Sequence, residues 1–235
     1  MLPVAILAGG RATRLQQLTE RVPKSLLPVA GRPFLFHQLA LLRSRGVRRV
    51  VLCVGHLGEQ IRAAVGDGRG FGLAVSYSFD GATLLGTGGA LKRALPLLGR
   101  EFFVLYGDAY LPCSLTRIES AYFTAGRPAL MAVLRNENRW DRSNVVFADG
   151  AVVAYDKHSS RDDMLHVDFG ISVLSEGVLR DYSDADVFDL SDLCRDLAAR
   201  GHLAALEMSE RFFEIGSLAG MRDTEEYLRA GRALQ

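Results

Sequence analysis

Over its first 135 residues the chain alternates short aliphatic and β-branched runs with stretches of helical spacing. No other feature narrows the fold as far. Residues 4–7, 49–54, 73–78, 101–106 and 129–134 read as strands. Between them, residues 34–45 carry Leu35, Leu39 and Leu42 at helical spacing, and 57–65, 88–98 and 115–124 also read as helices. Strands separated by helices of this length cannot pair as tight hairpins, so they join through crossovers as βαβ units. The expectation is an α/β fold with a doubly wound, mostly parallel sheet and helices on both faces.

After Trp140 the texture changes. Residues 144–147 and 152–155 flank Asp149-Gly150, a two-residue hairpin signal. Residues 166–174 read as a further strand and 190–200 as a helix. This part is expected to extend the same sheet in antiparallel fashion and to cover one side of a cleft. No linker, low-complexity tract or repeat interrupts the 235 residues, so a single domain over 1–235 is expected.

Charge limits the partners. Lys and Arg total 28 against 27 Asp and Glu, so no global field draws the chain to nucleic acid or to an anionic membrane. Any anion site must be local. Apolar runs are strand-sized, well short of the ~20 residues a membrane helix needs. The N-terminus lacks the basic region of a secretion signal. Cys53, Cys113 and Cys194 are odd in number and widely spaced, arguing against a disulfide framework or a zinc site. A reduced, cytoplasmic setting is the simplest expectation.

The first strand runs into Leu7-Ala8-Gly9-Gly10-Arg11-Ala12-Thr13-Arg14-Leu15. Small residues let backbone approach a ligand, and successive loop N–H groups can cradle phosphate oxygens. Taken alone the segment is equally a tight strand-to-helix turn. It is neither a Walker loop nor a GxGxxG fingerprint, which removes the dehydrogenase reading. Val22-Pro23-Lys24-Ser25-Leu26-Leu27-Pro28-Val29-Ala30-Gly31-Arg32-Pro33 follows. Two later segments add to it: Leu85-Gly86-Thr87-Gly88-Gly89-Ala90-Leu91 at a helix start, and Val104-Leu105-Tyr106-Gly107-Asp108, an apolar strand ending in a carboxylate.

With these segments the chain resembles the sugar-1-phosphate nucleotidyltransferases, whose N-terminal pattern is LAGGxGTRL…PKxLxPVxGxP. The resemblance implies a Rossmann-like sheet, with residues 1–135 binding a nucleoside triphosphate and 136–235 binding a sugar 1-phosphate. It implies that Leu7, Ala8, Gly9, Gly10 and Thr13 wrap the triphosphate, with Arg14 and Lys24 as the catalytic cations. The Leu85, Gly86 and Gly88 turn would meet nucleobase and ribose, its small residues leaving room for a flat ring. Asp108 would hold Mg²⁺. The family's second carboxylate sits in a D-x-G motif, matched here by Glu214-Ile215-Gly216, so Glu214 is the expected second metal ligand. Lys157 and the stretch Asp168-Phe169-Gly170-Ile171 match the sugar side, giving Lys157, Asp168 and Gly170 as sugar-phosphate residues. His158 and His166 carry no metal-site spacing.

Two departures stand out: Ala12 replaces a family glycine and Glu214 an aspartate. They keep open a nucleotide-sugar binder that regulates rather than catalyses. A glycosyltransferase is the rival enzyme class, and Gly107-Asp108-Ala109 lacks the second aspartate of its acidic motif. Within the family the chain is similar to short members. GTP with a heptose or mannose 1-phosphate is expected, and UTP with a hexose or muramate-like 1-phosphate is the alternative. Short members often pair as homodimers, and oligomeric state stays open here.

Overall fold

The computed structural model describes residues 1–10, 15, 19–158 and 161–231. Strand β1 (Val4–Leu7) is followed by a small hairpin of β2 (Pro28–Val29) and β3 (Arg32–Pro33). Then come α1 (Phe34–Ser44), β4 (Arg49–Val54), α2 (Gly58–Val65), β5 (Ala74–Phe79), α3 (Gly86–Leu98) and β6 (Glu101–Tyr106). Next are β7 (Ala109–Tyr110), α4 (Leu115–Ala125), β8 (Ala129–Arg135), β9 (Val145–Ala148), β10 (Ala151–Tyr155) and β11 (His166–Ser175). The chain closes with α5 (Leu190–Ala199), β12 (Leu203–Met208), β13 (Phe213–Glu214) and α6 (Leu218–Arg229).

Among the described residues nine strands form one sheet in the order β5-β4-β1-β6-β11-β8-β12-β10-β9. β5, β4, β1 and β6 are mutually parallel. Side chains of β1 alternate between two cores. Val4 and Ile6 join Leu35, Leu39 and Leu42 of α1 and Ile118 of α4. Ala5 faces the other way, onto Leu91 and Leu98 of α3 and Leu193 and Leu197 of α5. Helices on both faces explain why β1, and β4 and β6 beyond their first residues, are apolar throughout rather than alternating.

The antiparallel part extends the same sheet, as expected, and interleaves with the parallel strands. β11 does not extend the outer edge; it lies between β6 and β8, antiparallel to both. The β6–α4–β8 crossover leaves one slot open, and β11 is buried along most of its length. Val167, Phe169, Ile171 and Val173 enter one core and Leu174 the other. β12, which the sequence reading missed, pairs parallel with β8, and the β9–β10 hairpin forms the edge beyond it. Asp149 and Gly150 both take positive φ, 49° and 72°, the primed turn that suits a two-residue hairpin. No described helix is long and apolar enough to cross a membrane.

A third cluster seats the C-terminal helix. Val29, Phe34, Tyr110, Phe213, Ile215 and Leu228 bring β2, α1, β7, β13 and α6 together. This packing brings residues more than a hundred positions apart to the rim of one cleft.

Candidate functional site

β1 is the switch point of the sheet: the chain builds β4 and β5 on one side of it and returns to place β6 on the other. Open α/β sheets bind ligands beyond the strand carboxyl ends at such a point. A cavity of about 280 Å³ lies there, lined by the ends of β1, β4 and β6 through Leu7, Cys53 and Tyr106. The turns after β1 and β6 touch backbone to backbone. Gly107 donates its N–H to Leu7 O at 2.9 Å, and a Cβ on Gly107 would sit 2.7 Å from that oxygen. A Cβ on Gly9 would likewise lie 2.9 Å from Gly55 N. Only glycine allows this approach.

Leu7, Ala8, Gly9 and Gly10 all line the cavity, as does Lys24. Arg14, Thr13 and Ala12 fall outside the described residues. Lys24 follows Pro23 in a short 3₁₀ turn, and its Nζ donates to Asp108 Oδ2 at 2.5 Å. Lys24 and Asp108 thus meet at one end of the cavity, partly shielded from water.

Two further carboxylates of the cavity were not foreseen. Asp80, only 6% exposed, and Asp189 both line the wall. Asp80 Oδ2 accepts from Leu85 N at 3.4 Å. Burial pushes its carboxyl above the usual range, against the opposing effects of that hydrogen bond and of Arg93. Asp189 Oδ1 accepts from Thr87 N and Oγ1 at 3.3 and 3.2 Å, while Thr87 Oγ1 accepts from Leu190 N at 2.7 Å. The N-termini of α3 and α5 therefore cap each other across the cavity wall.

Of the turn expected to meet a nucleobase, Gly86 lines the cavity, whereas Leu85 and Gly88 are not part of its lining. Gly88 and Gly89 are small for another reason. A Cβ on Gly88 would collide with the Phe188 ring, and one on Gly89 with Asp186 O. The room they leave is filled by the segment before α5, where Tyr182 stacks on Phe188 at 3.9 Å.

Lys157, Asp168 and Gly170 are brought together one side chain away. Lys157 Nζ donates to Tyr106 Oη at 2.8 Å and lies 3.9 Å from Asp168 Oδ2. Asp168 also accepts from Tyr155 Oη at 3.2 Å and from Gly170 N at 2.9 Å. Burial works against the charge of Lys157, but Tyr106 and Asp168 outweigh it, and its pKa is raised. Tyr106 belongs to both groups, as a wall of the cavity and a partner of Lys157.

Glu214 reaches the same turn through its backbone. It pairs with Ala109, and Ile215 N donates to Asp108 O at 2.9 Å. Its carboxylate folds back onto the start of α6, accepting from Gly216 N and, at 2.9 Å, from Ser217 Oγ. Gly220 makes room for this longer side chain, since a Cβ there would collide with Glu214 Oε1. Glu214 does not line the cavity.

Gln38, 1% exposed on α1, is a residue the sequence reading missed. Its Nε2 donates to Tyr106 O at 3.0 Å and Ala109 O at 2.6 Å, clamping both ends of the turn that carries Asp108. The available signal was a polar residue on the buried stripe set by Leu35, Leu39 and Leu42. The three described cysteines are free and buried, and burial pushes the Cys53 thiol, in the cavity wall, up to about 12.

Comparison with known proteins places this cavity in context. The family model for nucleotidyl transferases matches residues 4–137. The chain is 26% identical over 213 residues to the D-glycero-alpha-D-manno-heptose 1-phosphate guanylyltransferase of Campylobacter jejuni, covering 90% of this chain and 93% of that protein. It is 41% identical over 112 residues to the N-acetylmuramate alpha-1-phosphate uridylyltransferase of Neisseria meningitidis, covering 47% of this chain and 48% of that one. In fold it matches the crystal structure of HddC from Yersinia pseudotuberculosis complexed with GMP-PN, with a TM-score of 0.81 at 24% identity over 97% of this chain and 100% of that one. A family match over more than half the chain, joined to a phosphate-type loop and a lysine–aspartate pair at a sheet switch point, identifies a member of the nucleotidyl transferase family, among its sugar-1-phosphate nucleotidyltransferases.

Proposed function

We propose that the chain transfers a guanylyl group from GTP to a heptose or mannose 1-phosphate, releasing pyrophosphate. The observation that carries the base assignment is Asp80, a buried carboxylate in the wall of the cavity that Lys24 also lines. A carboxylate offers only acceptors. Guanine alone presents two adjacent donors on its pairing edge, N1–H and the exocyclic amine, whereas uracil and thymine present one donor between two acceptors. The similarity to a heptose 1-phosphate guanylyltransferase across 90% of the chain supports the same reading.

The polarity of the cavity fits such a substrate. Lys24, with Arg14 as the expected second cation, neutralises the triphosphate, and Asp80 reads the base. The sugar phosphate lies on the Tyr106 side, held by Lys157 with Asp168 and Gly170 behind it. Its phosphate oxygen is already an anionic nucleophile, so attack on the α-phosphorus needs no strong base. Catalysis rests on alignment of two anions and on cations that offset charge at the α-phosphate and leaving group.

The donor set suits Mg²⁺, which takes one or two protein carboxylates together with phosphate and water oxygens. Asp108 presents such a carboxylate at the cavity wall, and Glu214 would be the second, leaving its place on α6 to do so. When bound, the ion supplies positive charge to the phosphates.

A second reading, uridylyl transfer to a hexose or muramate-like 1-phosphate, is favoured by the 41% identity of 112 residues to a uridylyltransferase. The test is pyrophosphate release with Mg²⁺, each of GTP, UTP, CTP, ATP and dTTP, and a panel of sugar 1-phosphates. Release with GTP and a heptose or mannose 1-phosphate is expected. Release with UTP alone transfers the assignment to the second reading. Silence across the panel, with measurable binding of a nucleotide sugar, makes the chain a binder.

A further inference from the structure

We infer that Ser25 is a further substrate-contacting residue, its hydroxyl donating to an anionic oxygen of the triphosphate that Lys24 neutralises. The inference rests on the nucleotidyl-transfer reading and adds a residue to it. Ser25 lines the cavity beside Lys24, Gly107 and Asp108, and is 4% exposed. Its Oγ is buried and has no hydrogen-bond partner among the described residues. Buried hydroxyls are nearly always satisfied, and one left alone costs stability with nothing returned. A serine kept in a cavity wall under those terms points to a partner that arrives with the ligand.

The backbone around it is held. Leu26 N donates to Pro23 O at 2.8 Å and Leu27 N to Lys24 O at 3.0 Å, closing the turn on both sides of Ser25. Rotation about the single Cα–Cβ bond is the freedom left to the hydroxyl, so it can turn to an incoming acceptor without moving the loop. The neighbouring ammonium decides what that acceptor is. A site one residue from Lys24, facing the Gly107-Asp108 turn, collects phosphate oxygens rather than a base edge.

Calorimetric titration of GTP, UTP and inorganic triphosphate, each with Mg²⁺, into wild type and Ser25→Ala tests this, alongside melting of the ligand-free proteins. A hydrogen bond to a charged group predicts about ten- to hundred-fold weaker binding in Ser25→Ala. The loss should be similar for all three ligands, because the contact is to phosphate. Ligand-free Ser25→Ala should melt at the wild-type temperature or ~2–4 °C higher, since an orphan hydroxyl has been removed. Ser25→Cys, with a weaker donor, should fall between the two in affinity. Unchanged affinity in Ser25→Ala, or a lower melting temperature, overturns the inference while leaving the transfer reading intact. If wild type binds none of the three ligands, the transfer reading itself falls and takes the inference with it.

Discussion

Asp80 concentrates the electrostatics of the cleft in one side chain. Its carboxyl is raised above the ordinary 3.8, chiefly by burial. Between the unfolded and folded values the native protein therefore binds the extra proton, and stability falls as pH rises through that window. Above that window the ionised carboxylate weakens the empty fold and can accept from a donor. Asp80→Asn should accordingly melt no lower than wild type at neutral pH. It should lose about 5- to 100-fold in GTP affinity, the span of one good two-pronged contact to guanine, with UTP binding little changed. Calorimetry against both nucleotides checks this, and an unaltered GTP-to-UTP ratio would remove the guanine assignment.

At the level of elements, α1 positions the Gly107-Asp108 turn and α3 the cavity wall at Gly86 and Thr87. Gln38 bonds both carbonyls that flank Gly107-Asp108. Gln38→Met keeps the volume and strands those carbonyls, so a loss of about 1–3 kcal/mol in urea unfolding is expected. A clamp also predicts that kcat for pyrophosphate release falls more than KM for the sugar phosphate rises. Equal kcat in a destabilised variant would reduce Gln38 to a packing residue. Gly88 answers to a different constraint, because its missing Cβ admits Phe188. Gly88→Ala forces the segment before α5 away and should cost about 1–3 kcal/mol, as overpacking does. Thermal melting reads the loss directly.

For the molecule as a whole, stability against acid depends on groups that stay neutral when folded. His37 is buried between two partners: Nε2 faces Val29 O at 2.8 Å and Nδ1 receives Arg32 Nε at 3.2 Å. Burial, the largest effect, lowers its pKa below 6.5, although the Val29 contact opposes this. The unfolded chain then binds the extra proton between the two values, so stability rises with pH across that window and is lost as pH falls below 6.5. Urea midpoints measured from neutrality down to about pH 5 should decline for wild type and decline less steeply for His37→Gln. Parallel slopes would show that other groups set the acid limit. With a formal net charge of only +1, the molecule has little general self-repulsion to mask this local effect.

Much of the site was legible in consecutive residues. Local order produced the strand 4–7, the strands 49–54 and 101–106, and the Asp149-Gly150 turn at the positions read from periodicity. The two loop motifs and the strand ending in Gly107-Asp108 likewise delivered Gly9, Gly10, Lys24 and Asp108 to one cavity. These features depend on spacing within one segment, which neighbours in sequence determine. The placement of β11 between β6 and β8 does not, because a strand slot is opened by a crossover elsewhere in the chain. β12, with the mixed sequence Leu-Ala-Ala-Leu-Glu-Met, becomes a strand through its pairing with β8. Asp80 and Asp189 carry no local signature, and Gln38 only that of a polar residue on an apolar stripe. They join the site because distant elements pack around it, burying Asp80 and Gln38 and setting Asp189 in the cavity wall, and such packing is what tertiary structure alone supplies.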